Sequence, residues 1–217
     1  IGAFKSNGSA SVGELQVEKY LEAAETVAVD ATFDLEALLP CDVAEGDACA
    51  EQFLADFGAR AYRRPLEPAE LTRILGVYQT GKDEADGDLG NGLRVAIAAV
   101  LQSPFFLYHV EFGIPDEGDE IVELGGYELA SRLSYFLWDS MPDDALFDAA
   151  ASGSLGDADG VREQVDRMLA SPKAQETVAL FHQQWLGVDE LHHVEKDSEM
   201  FPGYDETLAE SMKEDVA

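Results

Sequence analysis

Tyr127–Asp144 reads YELASRLSYFLWDSMPDD. At helical spacing Leu129, Leu133, Phe136 and Leu137 fall on one face, and Glu128, Arg132 and Asp139 form a polar strip with one Glu-to-Arg pair at i,i+4. Ala130, Ser134 and Trp138 extend the apolar surface over most of the circumference, the pattern of a helix enclosed by others. Ser140, Pro142, Asp143 and Asp144 then stop this helix and open the next. A Ser cap with Asp three residues on accepts from free N–H groups and complements the helix dipole.

The same grammar repeats on both sides. Upstream, Leu93, Ile97, Val100 and Leu101 mark a helix closed by Ser103 and Pro104, which serve as cap and first-turn residue of a further segment through Tyr108. Pro68 suits the first turn of a helix with Leu71, Ile74, Leu75 and Tyr78 as its stripe and Gly81 as its stop. Asp47 suits the cap of another, in which Cys49, Phe53, Phe57 and Ala61 recur until Pro65 ends the pattern near Arg63. Glu14 to about Asp30 is helical in period. Asp83–Gly92 reads as an acidic, glycine-rich loop and Gly113–Glu123 as a linker. Downstream come a short helix near Asp143–Ala151 and a stripe of Val161, Val165, Met168 and Leu169. A second Ser-Pro start at Ser171 follows, with Ala174, Val178, Phe181 and Trp185 leading to Gly187, and a last helix begins near Asp205.

No sustained period-two alternation occurs, so the fold class is all-α: an irregular multi-helix bundle in two packed helical subdomains. The expected division is residues 1–46 as tail, helix and cysteine loop, 47–113 as a first subdomain, and 124–217 as a second, C-terminally incomplete one. The chain begins at Ile1 without Met and stops within a helical pattern, so it is expected to be part of something longer.

Charge narrows the partners. There are 44 acidic and 14 basic residues, a formal charge of -30. That charge repels nucleic-acid phosphate and anionic lipid, so neither is an expected partner. No run approaches the roughly 18 apolar residues of a membrane span.

Cys41 and Cys49 flank a short acidic loop after Pro40. Without a CxxC or CxxCH, neither thioredoxin-type chemistry nor covalent haem attachment has its residues here. The pair is expected to form a structural disulfide worth about 2 to 3 kcal/mol, which places the protein outside the cytosol, in the periplasm, at the cell surface or secreted. Two free thiols are the alternative.

Arg60, Arg63 and Arg64, with Arg73 nearby, form a basic cluster in an acidic chain. It suits either an anion site or a staple between two helices through Asp56, Glu67 and Glu70. The histidines are His109, His182, His192 and His193. His182, with Val178 at i−4 and Trp185 at i+3, reads as a boundary histidine. His192 and His193, beside Glu195, Asp197 and Glu199, are candidate ligands without a spaced metal signature, so no metal site is assigned. Asp83–Asn91 resembles a calcium loop in composition only, and no GxSxG nucleophile turn exists.

Four segments in order, FGARAYRRPL (Phe57–Leu66), LQSPFFLYHVE (Leu101–Glu111), YELASRLSYFLWDSMPDD and FHQQWLG (Phe181–Gly187), resemble the large secreted proteins of planctomycetes and myxobacteria. Those proteins are built of consecutive domains of unknown function and are often joined to a cytochrome c module. The resemblance runs from about Cys49 to the end, with Glu14–Asp30 resembling the end of a preceding domain more weakly. It implies an exported, multidomain helical protein linked to extracytoplasmic electron transfer or to breakdown of large polymers. Haem c would be carried elsewhere in the full-length protein and no cofactor in this chain. Partners would be other domains of the same polypeptide or an exported complex. No catalytic residue is carried over.

The expected function is therefore a helical scaffold or interaction region of an exported, cytochrome-associated protein. The alternative is a segment of an extracytoplasmic oxidoreductase, with His182, His192 and His193 near a haem or metal and the arginines binding a polymer or acidic substrate. A polysaccharide-binding module would show an exposed aromatic row, whereas the aromatics here fall on apolar stripes and read as core.

Overall fold

A computed structural model of the chain describes residues 12–114, 122–188, 196–197 and 199–214. Its regular structure is helical: α1 (Glu14–Ala31), α2 (Leu35–Leu38), α3 (Asp47–Tyr62), α4 (Pro68–Glu84), α5 (Leu89–Leu101), α6 (Pro104–Leu107), α7 (Gly126–Trp138), α8 (Asp144–Ser152), α9 (Ala158–Leu169), α10 (Pro172–Leu186) and α11 (Glu206–Glu214). Among the described residues the extended pairing is one isolated antiparallel bridge, Ile114 to Glu123. The all-α expectation holds. The chain forms two compact units, with the division between Glu128 and Leu129.

In the first unit α5 is the central element, with α1, α3, α4 and α6 packed against it. Its sequence, LGNGLRVAIAAVL, buries Leu93, Ala96, Ile97, Ala98 and Val100, and its small residues let neighbouring backbones come close. Leu39, Cys49, Leu54, Ala61, Ile74 and Tyr78 close one side of this core. Phe53 and Phe57, expected on the buried stripe of α3, are half-buried instead and stack on each other at 5.6 Å. The buried stripe is Cys49, Ala50, Leu54, Gly58 and Ala61.

Two glycines have roles that their spacing does not announce. Gly81, expected to stop α4, lies within it, and a Cβ there would stand 2.9 Å from the Val95 side chain. Gly92, expected in a loop, lies in α5, where a Cβ would meet the Tyr78 ring at 2.8 Å. The turn between these helices places Asp86 and Gly87 at φ 54° and 88°. Asp88 then caps α5 by accepting from the Asn91 N–H, while the Asn91 side chain donates to Gly81 O at 2.6 Å.

Asp47 is a first-turn residue rather than the cap, since Gly46 precedes the helix. Its carboxylate accepts from Tyr78 OH at 2.6 Å and Lys82 Nζ at 2.5 Å. Lys82 first, then Tyr78, hold the Asp47 carboxyl below its usual range. Burial, then the hydrogen bond to Asp47, push the Tyr78 hydroxyl well above its own.

The second unit is organised at the C-terminal end of α7. Its buried residues are Ala130, Ser134 and Trp138, one helical stripe away from the expected leucine face, and Phe136 is 70% exposed. The Trp138 indole donates to Met168 O at 2.9 Å. Arg167 and Lys173 lie over its ring at 5.4 and 5.0 Å. Asp143, rather than Ser140, caps α8, accepting from Leu146 N–H and from both terminal nitrogens of Arg167 at 2.7 and 3.0 Å. Burial raises the Asp143 carboxyl, but the hydrogen bonds from Arg167 and Leu146 N–H and the charges of Arg167 and Lys173 together outweigh it and leave the group below its ordinary value.

In α10 the buried residues are Ala174 and Thr177, in the first two turns. Val178, Phe181 and Trp185, expected as core, are 52%, 41% and 70% exposed. Of the expected stripe only Ala174 is buried, with Thr177 beside it, and the C-terminal half of the apolar face is exposed among the described residues.

The glycine contacts give a paired test. Alanine at Gly81 or Gly92 should destabilise by about 1 to 3 kcal/mol through overpacking. Gly76 lies on the same helix as Gly81 with nothing near a would-be Cβ, so Gly76→Ala should stabilise by up to about 1 kcal/mol from propensity alone. Urea unfolding of the three variants measures the difference, and a gain at all three would mean that glycine does not set the α4–α5 spacing.

Candidate functional site

The arginine cluster is built around the end of α3. Arg63 stops that helix in the left-handed region, with φ 58°. This turns its side chain back towards α6, a helix too short to satisfy its own last carbonyls. Arg63 Nη2 donates to Phe105 O at 2.5 Å and Tyr108 O at 2.8 Å, and Nη1 donates to Phe106 O and Ala61 O, each at 3.2 Å. The residue is 6% exposed. Ser103 and Pro104 supply the other end of α6, with the Ser103 hydroxyl accepting from Phe105 N–H.

Arg64 turns to the start of α4. Its two terminal nitrogens donate to the two oxygens of Glu70, each at 2.8 Å. Glu70 is buried and also accepts from Glu67 N–H. The hydrogen bonds from Arg64 hold the Glu70 carboxyl below its usual range and raise the Arg64 guanidinium in turn. The guanidinium also lies 4.9 Å above the Phe105 ring, and Tyr62 packs on the same ring at 5.4 Å. Arg60 and Arg73 are exposed on α3 and α4, and the Arg73 charge also favours ionised Glu70. The structure thus directs the Arg63 and Arg64 forks to groups of the protein itself, an arrangement suited to fastening α3, α4 and α6.

Cys41 and Cys49 are joined in a disulfide with their Cα atoms 5.8 Å apart. Cys49 is buried in the first turn of α3, so the bridge anchors the loop after α2 to the core.

The histidines are not brought together as a described site. His182 is half-buried on α10, its Nδ1 2.8 Å from Val178 O and its ring beside those of Phe181 and Trp185 at 5.5 and 6.3 Å. His109 follows α6, and His192 and His193 lie outside the described residues. Among the described residues no group of three His, Cys, Asp or Glu side chains could hold a metal ion. Nor is any described helix long and apolar enough to cross a membrane.

A feature that periodicity did not signal is a groove between α1 and α5. It has a volume of about 400 Å3 and is lined by Glu25, Val29, Arg94, Val95, Ala98, Ala99 and Gln102. Its signal in the sequence was the surplus of apolar residues on α1, where Ala24 and Ala28 alone are buried.

Residues 49–111 match the family PSD5: Protein of unknown function (DUF1595), and residues 124–217 match PSD4: Protein of unknown function (DUF1592). The chain carries two domains of unknown function in tandem. No curated protein and no solved structure matches it. The DUF1595 region spans α3 to α6, which are the elements that Arg63 and Arg64 fasten. It begins at Cys49, so the disulfide ties it to a residue outside the matched stretch, and α1 lies outside both regions. The DUF1592 region opens just before α7 and contains the Trp138 cluster.

The Arg64–Glu70 pair has a pH signature. The folded-state value of Glu70 is depressed, so its contribution is fully present above the ordinary 4.5 and is lost as pH falls through the lower folded value. Arg64→Met strands a buried carboxylate and should cost about 3 kcal/mol at neutral pH, shrinking with acidification as the stranded Glu70, which burial raises, takes up a proton. Urea unfolding at neutral and acidic pH checks this, and a cost independent of pH would assign the role of Arg64 to its ring contacts.

Proposed function

We propose that the chain is a helical scaffold and interaction region of an exported, cytochrome-associated multidomain protein. The observation that carries this reading is a contrast between polar and apolar groups. The best-placed polar groups, Arg63, Arg64, Glu70, Asp143 and Arg167, are turned to one another and to backbone carbonyls. Large apolar side chains stand outward instead: Leu15 and Phe33 in the first unit are 69% and 92% exposed, and Phe136 and Trp185 in the second are 70% each. Gathered into a contiguous patch, such side chains mark a surface that meets another macromolecule. Export is supported by the disulfide, which persists in oxidising compartments. The cytochrome link draws on the resemblance of the four motifs.

One observation favours the oxidoreductase reading. His182 Nδ1 lies 2.8 Å from the Val178 carbonyl oxygen, a contact that orients the ring as the second hydrogen bond of a metal-ligating histidine does. An absorption spectrum and metal analysis of protein prepared without chelators separate the two readings. The scaffold reading expects no Soret band and no stoichiometric transition metal. A Soret band lost in His182→Ala would replace it with the oxidoreductase.

A further inference from the structure

We propose that the groove between α1 and α5 is a docking site for a cationic amphipathic helix of a partner protein. The inference rests on the interaction-region reading and names the chemistry of one partner. Three observations lead to it.

The groove is apolar where a ligand side chain would enter. Val29, Val95, Ala98 and Ala99 line it, and the two alanines of α5 leave room for larger side chains from outside. Val29 is 50% and Val95 36% exposed, so the lining is open to solvent.

The α1 wall also has apolar surface to extend the contact. α1 buries Ala24 and Ala28, and Val17, Leu21 and Val29, exposed on one row of i,i+4 spacing with Glu25, continue the lining along the helix. A helix laid along such a wall meets it through residues spaced by helical turns, which is the helix-in-groove mode of recognition.

Charge then selects the occupant. Glu25 lines the groove, and Glu18 stands two turns earlier on the same ridge. The groove's cation, Arg94, is turned towards Thr32 Oγ1 at 3.3 Å and Asn91 Oδ1 at 3.4 Å. A second copy of the chain would bring a further formal charge of -30 to a surface already negative. Anionic lipid and nucleic acid are repelled for the same reason, whereas a basic helix is steered towards the wall and fixed in register by it.

The test uses the whole chain and two labelled model helices, one of leucine and lysine heptads and one of leucine and glutamate, followed by fluorescence anisotropy at physiological ionic strength. The lysine helix should bind saturably and the glutamate helix should not. Val29→Lys, at a half-exposed position that tolerates a longer side chain, should weaken binding about tenfold or more, as loss of a central contact does. Glu25→Lys should weaken it in the same direction. Glu163→Lys, an equal charge change on an exposed position of α9, should leave it unchanged, and circular dichroism of each variant confirms folding. Equal weakening by Glu163→Lys, binding of the glutamate helix, or no binding at all overturns the proposal. So does self-association in sedimentation that Val29→Lys abolishes, which would give the groove to a second copy. Absence of binding in a protein without a Soret band removes this inference alone, whereas a Soret band with groove binding intact removes the scaffold reading alone.

Discussion

Arg63 supplies N–H groups to the carbonyls of Phe105, Phe106 and Tyr108, which a helix of α6's length cannot satisfy internally. Without those donors, partly buried carbonyls would lose their partners at the point where α3 and α6 meet. The left-handed backbone at Arg63 is the condition for this, because it ends α3 and swings the side chain across in one step. Arg64 then fixes α4 relative to both, through Glu70 on one side and the Phe105 ring on the other. Adjacent arginines therefore do separate jobs. One serves as a donor array for backbone and the other as a bidentate partner for a carboxylate, uses for which lysine has neither the fork nor the number of donors.

The second unit uses the same device with different parts. Arg167 forks onto the cap residue of α8 while its guanidinium covers Trp138, and the indole donates to the last turn of α9. In each unit a guanidinium sits where a helix end, an aromatic ring and a carboxylate converge. That is economical in a chain with 14 basic residues against 44 acidic ones. Arg64 and Arg167 are placed where a fixed geometry is required, not spread to offset the net charge.

Helix starts were the most legible part of the sequence. Ser103–Pro104, Glu67–Pro68 and Ser171–Pro172 each open a helix where the chemistry of caps and first-turn prolines places one. The glycines misled because Gly at a helix end and Gly under a crossing helix leave the same trace in one chain, and Gly81 and Gly92 are of the second kind. Asp47 and Ser140 were credited as caps because any short polar residue at the right offset fits. The structure gives those caps to Gly46 and Asp143. Of the candidate site, the disulfide was legible from the cysteine spacing, and the Arg64–Glu70 pair was among the staples that the sequence suggested. The carbonyl ligands of Arg63 were not, since a backbone acceptor has no letter in a sequence. Neither was the exposure of Trp185, because a hydrophobic face says where contact is favourable and not whether a neighbour arrives to make it.

The disulfide has a consequence for where the first unit comes apart. Helices ordinarily fray from their ends, where the last turns hold the fewest hydrogen bonds. In α3 the first turn is tethered covalently through Cys49 and held to α4 by Asp47, and the last turn is held by Arg63. A helix clamped at both termini cannot unwind progressively. Its opening is therefore expected to disturb α4 and α6 as well, and to be rarer than fraying from a free end. Gradual opening is expected instead of α1, which buries Ala24 and Ala28 alone and has no such clamp at Glu14 among the described residues.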